Sequence, residues 1–131
     1  MNPTEHRLRQ RRDCLQTVAN PATDRDRISI LSGELPTSSL LGGTPIHIDL
    51  RYIADREIIA ATALAHYFQA AAQEPCDTLE GYADMVLNDL NNELVPRWIW
   101  LRLQGNGHQV IQQDRQPGWN DPGLLTTLDF S

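Results

Sequence analysis

Asp49 and Asp55 flank Arg51 closely enough to work as an acid/base pair, and a structural ion pair is the alternative for the same three side chains. Asp77 and Glu80 have the spacing of a capping box. In such a box the Asp accepts from the backbone amide three residues on, while the Glu reaches back. Trp98 and Trp100 share one side of a strand-like run, where they could stack on a planar ligand or form a contact between subunits. His6, His47, His66 and His108 show neither HxH nor HExxH spacing, so no metal site is expected. Cys14 and Cys76 have no CxxC partner and read as free thiols that are buried or incidental.

All eleven cationic side chains are Arg, and the absence of Lys excludes Schiff-base chemistry, a P-loop lysine and a lysine general base. Up to Arg27 there are six Arg against four acids; the rest carries five Arg against thirteen. An acidic body repels phosphate backbones, which argues against a nucleic-acid partner. The Arg-rich start (Arg7, Arg9, Arg11, Arg12) reads as a solvated charge run, with contact to an anionic partner as the alternative. At 131 residues and 40% hydrophobic, the chain fits one domain with one core. No apolar run approaches the roughly 20 residues of a membrane span, and none follows the Arg-rich start as a signal peptide would. A cytoplasmic protein without a membrane partner is expected.

The elements that must hold these residues follow from periodicity. Residues 1–27 read as an N-terminal arm or lead-in with weak helical character around Arg7 to Val18, and 28–131 as a single domain with an irregular tail. A short strand, Ile28 to Leu31, ends at Ser32-Gly33, and a loop follows from Pro36 to Pro45. Ile46, Ile48, Leu50 and Tyr52 alternate with His47, Asp49 and Arg51 as a strand with one dry face. His47, on the polar face, is expected at solvent or an interface. The Ala-rich stretch from Asp55 to about Ala72 reads as a helix. A second helix starts at Asp77, carries the stripe Leu79, Ala83, Val86, Leu87, Leu90 and Leu94, and closes at Pro96. Arg97 to Gln104 alternates again, and Gly105-Asn106-Gly107 turns into a last strand around Gln109 to Gln112. The expected fold is α+β, an antiparallel four-stranded sheet with two consecutive helices on one face, in the order ββααββ. The opposite sheet face, with Trp98 and Trp100, is expected to be solvated or covered by another subunit.

This order, with particular residues, resembles the tunnelling fold (T-fold), and within it the NADPH-dependent 7-cyano-7-deazaguanine reductase (QueF) family of queuosine biosynthesis. Leu50-Arg51-Tyr52-Ile53-Ala54-Asp55 is like the family's strand ending in a Tyr-Ile-Pro-Asp turn, and Val86-Leu87-Asn88-Asp89-Leu90 is like its Met-Asn-Asp-Leu helix. Pro96-Arg97-Trp98-Ile99 is like its Pro-Arg-Tyr-Ile strand entry, and Leu15 to Asp26, with Asn20 and Arg25-Asp26, like its lead-in. The resemblance covers about residues 15 to 115.

Its chemistry is not matched. In the family, a loop before the first long strand supplies a cysteine that attacks the nitrile to form a thioimide, then an aspartate as proton donor. The corresponding Thr37-Ser38-Ser39-Leu40-Leu41-Gly42-Gly43-Thr44-Pro45 holds neither and is about three residues shorter, and Cys14 and Cys76 lie elsewhere. The Glu-Ser-Lys-Ser-x-Lys motif that helps hold NADPH aligns with Ala60-Ala61-Thr62-Ala63-Leu64-Ala65, and only Arg56 stands nearby. No catalytic residue, cofactor or metal is therefore expected. A His-Glu pair opens the family's second helix, where the Glu recognises the deazaguanine by accepting N1–H and the exocyclic amine together. Here the pair reads Leu79-Glu80, so the resemblance implies a substrate-binding role for Glu80 beside its capping role.

Three readings follow. The first is a QueF-like pseudoenzyme, a non-reducing T-fold subunit in a homo-oligomer or in a hetero-oligomer with another T-fold chain, binding a guanine- or 7-deazapurine-like molecule through Glu80. The second is an enzyme of purine or deazapurine metabolism that recruits Ser38, Ser39 or Asp49 for other chemistry in the same intersubunit pocket. The third is a protein-interaction module acting through the arm and the Trp face.

Overall fold

The computed structural model describes residues 2–36 and 45–126. Its elements are α1 (Pro3–Cys14), β1 (Thr17–Ala19), β2 (Ile28–Leu35), β3 (Ile46–Ile53), β4 (Glu57–Ile59), α2 (Ala63–Ala71), α3 (Leu79–Leu94), β5 (Trp98–Gly105), β6 (His108–Arg115) and α4 (Pro122–Leu125). The class is α+β. Strands β2, β3, β5 and β6 form one antiparallel sheet in that order, and β1 pairs with β4 as a second, two-stranded sheet. The loop from Thr37 to Thr44, with Ser38 and Ser39, lies outside the described residues.

Alternation decides which face of the sheet meets the helices. Across β3 and β5 the dry pairs are Ile48 with Leu103, Leu50 with Leu101 and Tyr52 with Ile99. All six are buried in one core with Leu64, Phe68, Val86 and Leu90 of α2 and α3. The intervening pairs, Asp49 with Arg102, Arg51 with Trp100 and Ile53 with Trp98, face the other way. Gly33 belongs to the dry face and is where Phe68 seats: a Cβ there would lie 2.6 Å from its ring. That close approach lets β2 continue to Leu35 and pair with β3 over its whole length, past the Ser32-Gly33 stop expected from sequence.

The helix expected from Asp55 is instead a strand and then a shorter helix. Glu57-Ile58-Ile59 pairs with Thr17-Val18-Ala19, since two adjacent β-branched residues take an available strand partner in preference to a helical turn. Ala60 N–H then donates to Gln16 C=O at 2.9 Å, and α2 begins only after Thr62, whose φ of 68° is left-handed.

The Arg-rich start, expected as a solvated charge run, is instead a helix packed on the rest of the molecule. Asn2 accepts from Glu5 N–H at 2.8 Å, Pro3 follows as the first helical residue, and α1 packs on α2 and touches α3. This helix is held by charge: Arg7 and Arg11 meet Glu74, while Arg11 and Arg12 meet Asp89. Three of the four arginines read as a free charge run are thus paired within the molecule.

Trp98 and Trp100 are likewise covered by their own chain. They are 1% and 4% exposed and form a second cluster with Ile53, against which Ile28, Trp119, Leu124 and Leu125 pack. The tail reaches them through a turn at Gly118 (φ 83°) and the short α4, where Asp121 accepts from Leu124 N–H at 3.0 Å. Another subunit is not needed to bury them.

Helix α3 ends at Leu94, ahead of Pro96, with Val95 as its C-cap at φ 43°, ψ 56°. A β-branched residue in the left-handed region is strained, and Val95 is 60% exposed, so packing does not compensate. Val95→Gly is expected to raise the unfolding free energy by roughly 0.5–1 kcal/mol, strain relief exceeding the backbone entropy of glycine. Urea denaturation measures it; an unchanged or lowered midpoint contradicts the strain.

Candidate functional site

The first turn of α3 is set by Thr78, not Asp77. Thr78 is extended and its Oγ1 accepts from Gly81 N–H at 2.9 Å, the usual reach of an N-cap. Gly81 gives that oxygen room, as a Cβ at this position would sit 3.1 Å from it. The frame moves by one residue, so the expected Asp77–Glu80 capping box does not form. Glu80 is the second helical residue and its carboxylate is not used as a cap. Leu79, standing where the resemblance has His, is buried in the core.

Glu80 meets a different histidine. Its Oε1 lies 2.8 Å from Nε2 of His108, the first residue of β6, and the two side chains are 54% and 51% exposed. His108 follows the turn at Asn106 and Gly107, both at positive φ, which matches the expected hairpin. At the hairpin tip, Gln104, Gly105, Gly107, His108 and Gln109 line a shallow, open groove of about 450 Å³, and Glu80 is not among the residues that line it. Beyond Glu80, Gln112 donates to Asp84 at 2.7 Å and Asn91 to Asp114 at 3.0 Å, fastening β6 along α3. Sequence reasoning missed His108 as a partner, because the contact joins a helix start to a hairpin 28 residues away and has no local signal.

On the opposite sheet face, Asp49 does not pair with Arg51. Its Oδ2 accepts from Arg102 at 2.7 Å and its Oδ1 faces His47 Nε2 at 3.4 Å. Arg51 and Arg102 both lie over the Trp100 ring, 4.8 and 5.5 Å from its centroid. Asp55 pairs with Arg97 at 3.3 Å. Ion pairing, the structural alternative for these carboxylates, is therefore what is found, with other partners. His47 remains 42% exposed, as its place on the polar face implies.

Several residues that carry the family resemblance meet in one staple. Arg97 donates to Thr23 C=O, to Arg25 C=O at 3.1 Å, to Asp26 at 2.8 Å and to Asp55. Gln116 donates to the second Asp55 oxygen at 3.0 Å, and Asn20 to the Asp55 carbonyl at 2.8 Å. The Gln116 hydrogen bond, with Arg97 beside it, holds the Asp55 carboxyl below the usual carboxylate range. These residues tie the lead-in to the main sheet.

Cys14 and Cys76 are free, half-buried and packed against the core. Burial, with Glu74 nearby, pushes the Cys76 thiol up, the reverse of nucleophile activation. Among the described residues no group of three or more His, Cys, Asp or Glu could hold a metal ion, and no helix is long and apolar enough to cross a membrane. No protein-family model matches the chain, and no curated protein matches it either.

Proposed function

We propose that this chain is a tunnelling-fold subunit that recognises the guanine-like edge of a purine or 7-deazapurine through Glu80 and does not reduce nitriles. One observation carries the reading: the Glu80 carboxylate is half-exposed at the start of α3, released from capping by Thr78 and set beside a histidine. The helix start resembling the reductases' base-recognition site thus has both a carboxylate and an imidazole, the latter from β6 in place of the neighbouring residue. Loss of the loop cysteine, its aspartate and the lysine pair supports a binding role over reduction. Assembly, with copies of itself or with another tunnelling-fold chain, is part of the proposal. It is supported by β2 and β6, which among the described residues are the sheet's edge strands and carry the exposed Ile30 (64%) and Ile111 (49%).

Thermal denaturation in the presence of guanine, 7-deazaguanine or a pterin is the test. The expected result is a raised midpoint that Glu80→Ala abolishes, while the ligand-free stability changes by no more than about 0.5 kcal/mol because Thr78 keeps the cap. A ligand shift that survives Glu80→Ala contradicts the reading. Incubation with 7-cyano-7-deazaguanine and NADPH is expected to leave the nicotinamide absorbance unchanged; steady oxidation would show that reductase chemistry persists.

A further inference from the structure

We infer that Asn106, at the tip of the β5–β6 hairpin, is a self-modification site: the Gly107 backbone nitrogen attacks its side-chain amide, and the isoaspartate that results loosens the turn. The Gly107 nitrogen gives its proton to water and bonds to Cγ of Asn106, closing a cyclic imide; the Cγ–Nδ2 bond breaks and the amide nitrogen leaves as ammonia, taking up a proton. Water then opens the imide at either carbonyl, leaving aspartate or isoaspartate. Only water is consumed, and neither Glu80 nor a ligand takes part. Asn106-Gly107 is the one Asn-Gly step in the chain, and glycine has no Cβ to shield its nitrogen. Both residues are exposed, and a Cβ placed on Gly107 would meet no atom within 4 Å. Among the described residues neither the Asn106 side chain nor the Gly107 N–H makes a hydrogen bond, so both reacting groups are unrestrained. Ring closure requires rotation about the Asn106 backbone, which stands at φ 53°, and the pair that holds the turn against it is Gly105 with His108, the last of the ladder. Ladder ends open at little cost in free energy. The other asparagines lack this combination. Asn2 and Asn20 precede proline, which has no N–H to lose; Asn88, Asn91 and Asn92 lie inside α3, where the following amide is held by the helix; Asn120 precedes Asp121, whose side chain crowds the attacking nitrogen. Isoaspartate lengthens the backbone by a methylene. A two-residue turn has no slack for it, so the Gly105–His108 pair opens in that form.

Peptide mapping of the full chain, kept folded in warm neutral buffer, tests this by mass and by enzymatic methylation of isoaspartate. The expected result is that the amide-to-acid mass gain accumulates at Asn106 ahead of every other asparagine. Asn106→Gln, whose longer side chain closes on the next nitrogen far more slowly, is expected to lose it. In the isoaspartate form, separated by its added charge, amide exchange at Gly105 and His108 is expected to be faster than in the parent, with the rest of the sheet unchanged. Conversion at another asparagine first, a gain that persists in Asn106→Gln, or no conversion at Asn106 over a time in which the urea-unfolded chain converts there would overturn the assignment. Unchanged exchange at the hairpin tip after conversion would overturn the loosened turn.

Discussion

Asp89→Ala is expected to lower the unfolding free energy by about 3–5 kcal/mol, a large share of what a domain of this size has. Asp89 is 1% exposed and accepts three bonds: from Arg11 Nε and Arg12 Nε, each at 2.9 Å, and from the Tyr67 hydroxyl at 2.6 Å. Truncation would leave the Arg11 guanidinium, itself 7% exposed, with Glu74 as its remaining carboxylate, and the Tyr67 hydroxyl without an acceptor. Burial and the adjacent carboxylate push Tyr67 far above the ordinary phenol range, so it stays a proton donor at any working pH. Urea unfolding gives the loss, and hydrogen exchange is expected to show α1 released first. A loss below about 1 kcal/mol would mean that α1 is held by something other than this buried charge cluster.

The second large effect is expected at Trp98. Trp98→Ala empties a site that is 1% exposed and removes the indole N–H bond to Gln113 at 3.1 Å, at a cost of about 3–5 kcal/mol. Because Trp119, Leu124 and Leu125 of the same chain cover this cluster, the loss is expected to be independent of protein concentration. A destabilisation that shrinks as the protein is concentrated would instead place Trp98 in an interface between subunits.

Much of this fold was legible because period-2 alternation is a local signal. Ile46 to Tyr52 and Ile99 to Leu103 declared their dry faces, and Asn106-Gly107 declared its turn. Partner-dependent features were not legible. Glu57-Ile58-Ile59 lies beside an Ala-rich helix former, and only the presence of Thr17 to Ala19 makes it a strand. Asp89 did carry a signal, a carboxylate between Val86 and Leu90 on the apolar side of a helix. Such a group must be paired, and in a chain without Lys the only permanently charged side-chain cations are arginines. The Trp face was misjudged because its cover, Trp119 and Leu124-Leu125, sits in a tail with no periodicity to read. At the candidate site, Glu80 was legible by its place at a helix start. Its freedom from capping turned on a one-residue frame shift to Thr78, beyond what boundaries read from sequence resolve.

The most direct measurement for the proposed function is a comparison of equilibrium affinities for guanine, hypoxanthine and adenine, in the parent and in Glu80→Gln. A carboxylate fork accepts two donors from guanine and one from hypoxanthine, and faces the acceptor N1 of adenine. The expected order is guanine first, hypoxanthine weaker by about tenfold for one lost charge-assisted bond, and adenine without detectable binding, with guanine binding lost in Glu80→Gln. Equal affinity for the three bases, or guanine binding undiminished by Glu80→Gln, would contradict a purine-edge site at the start of α3.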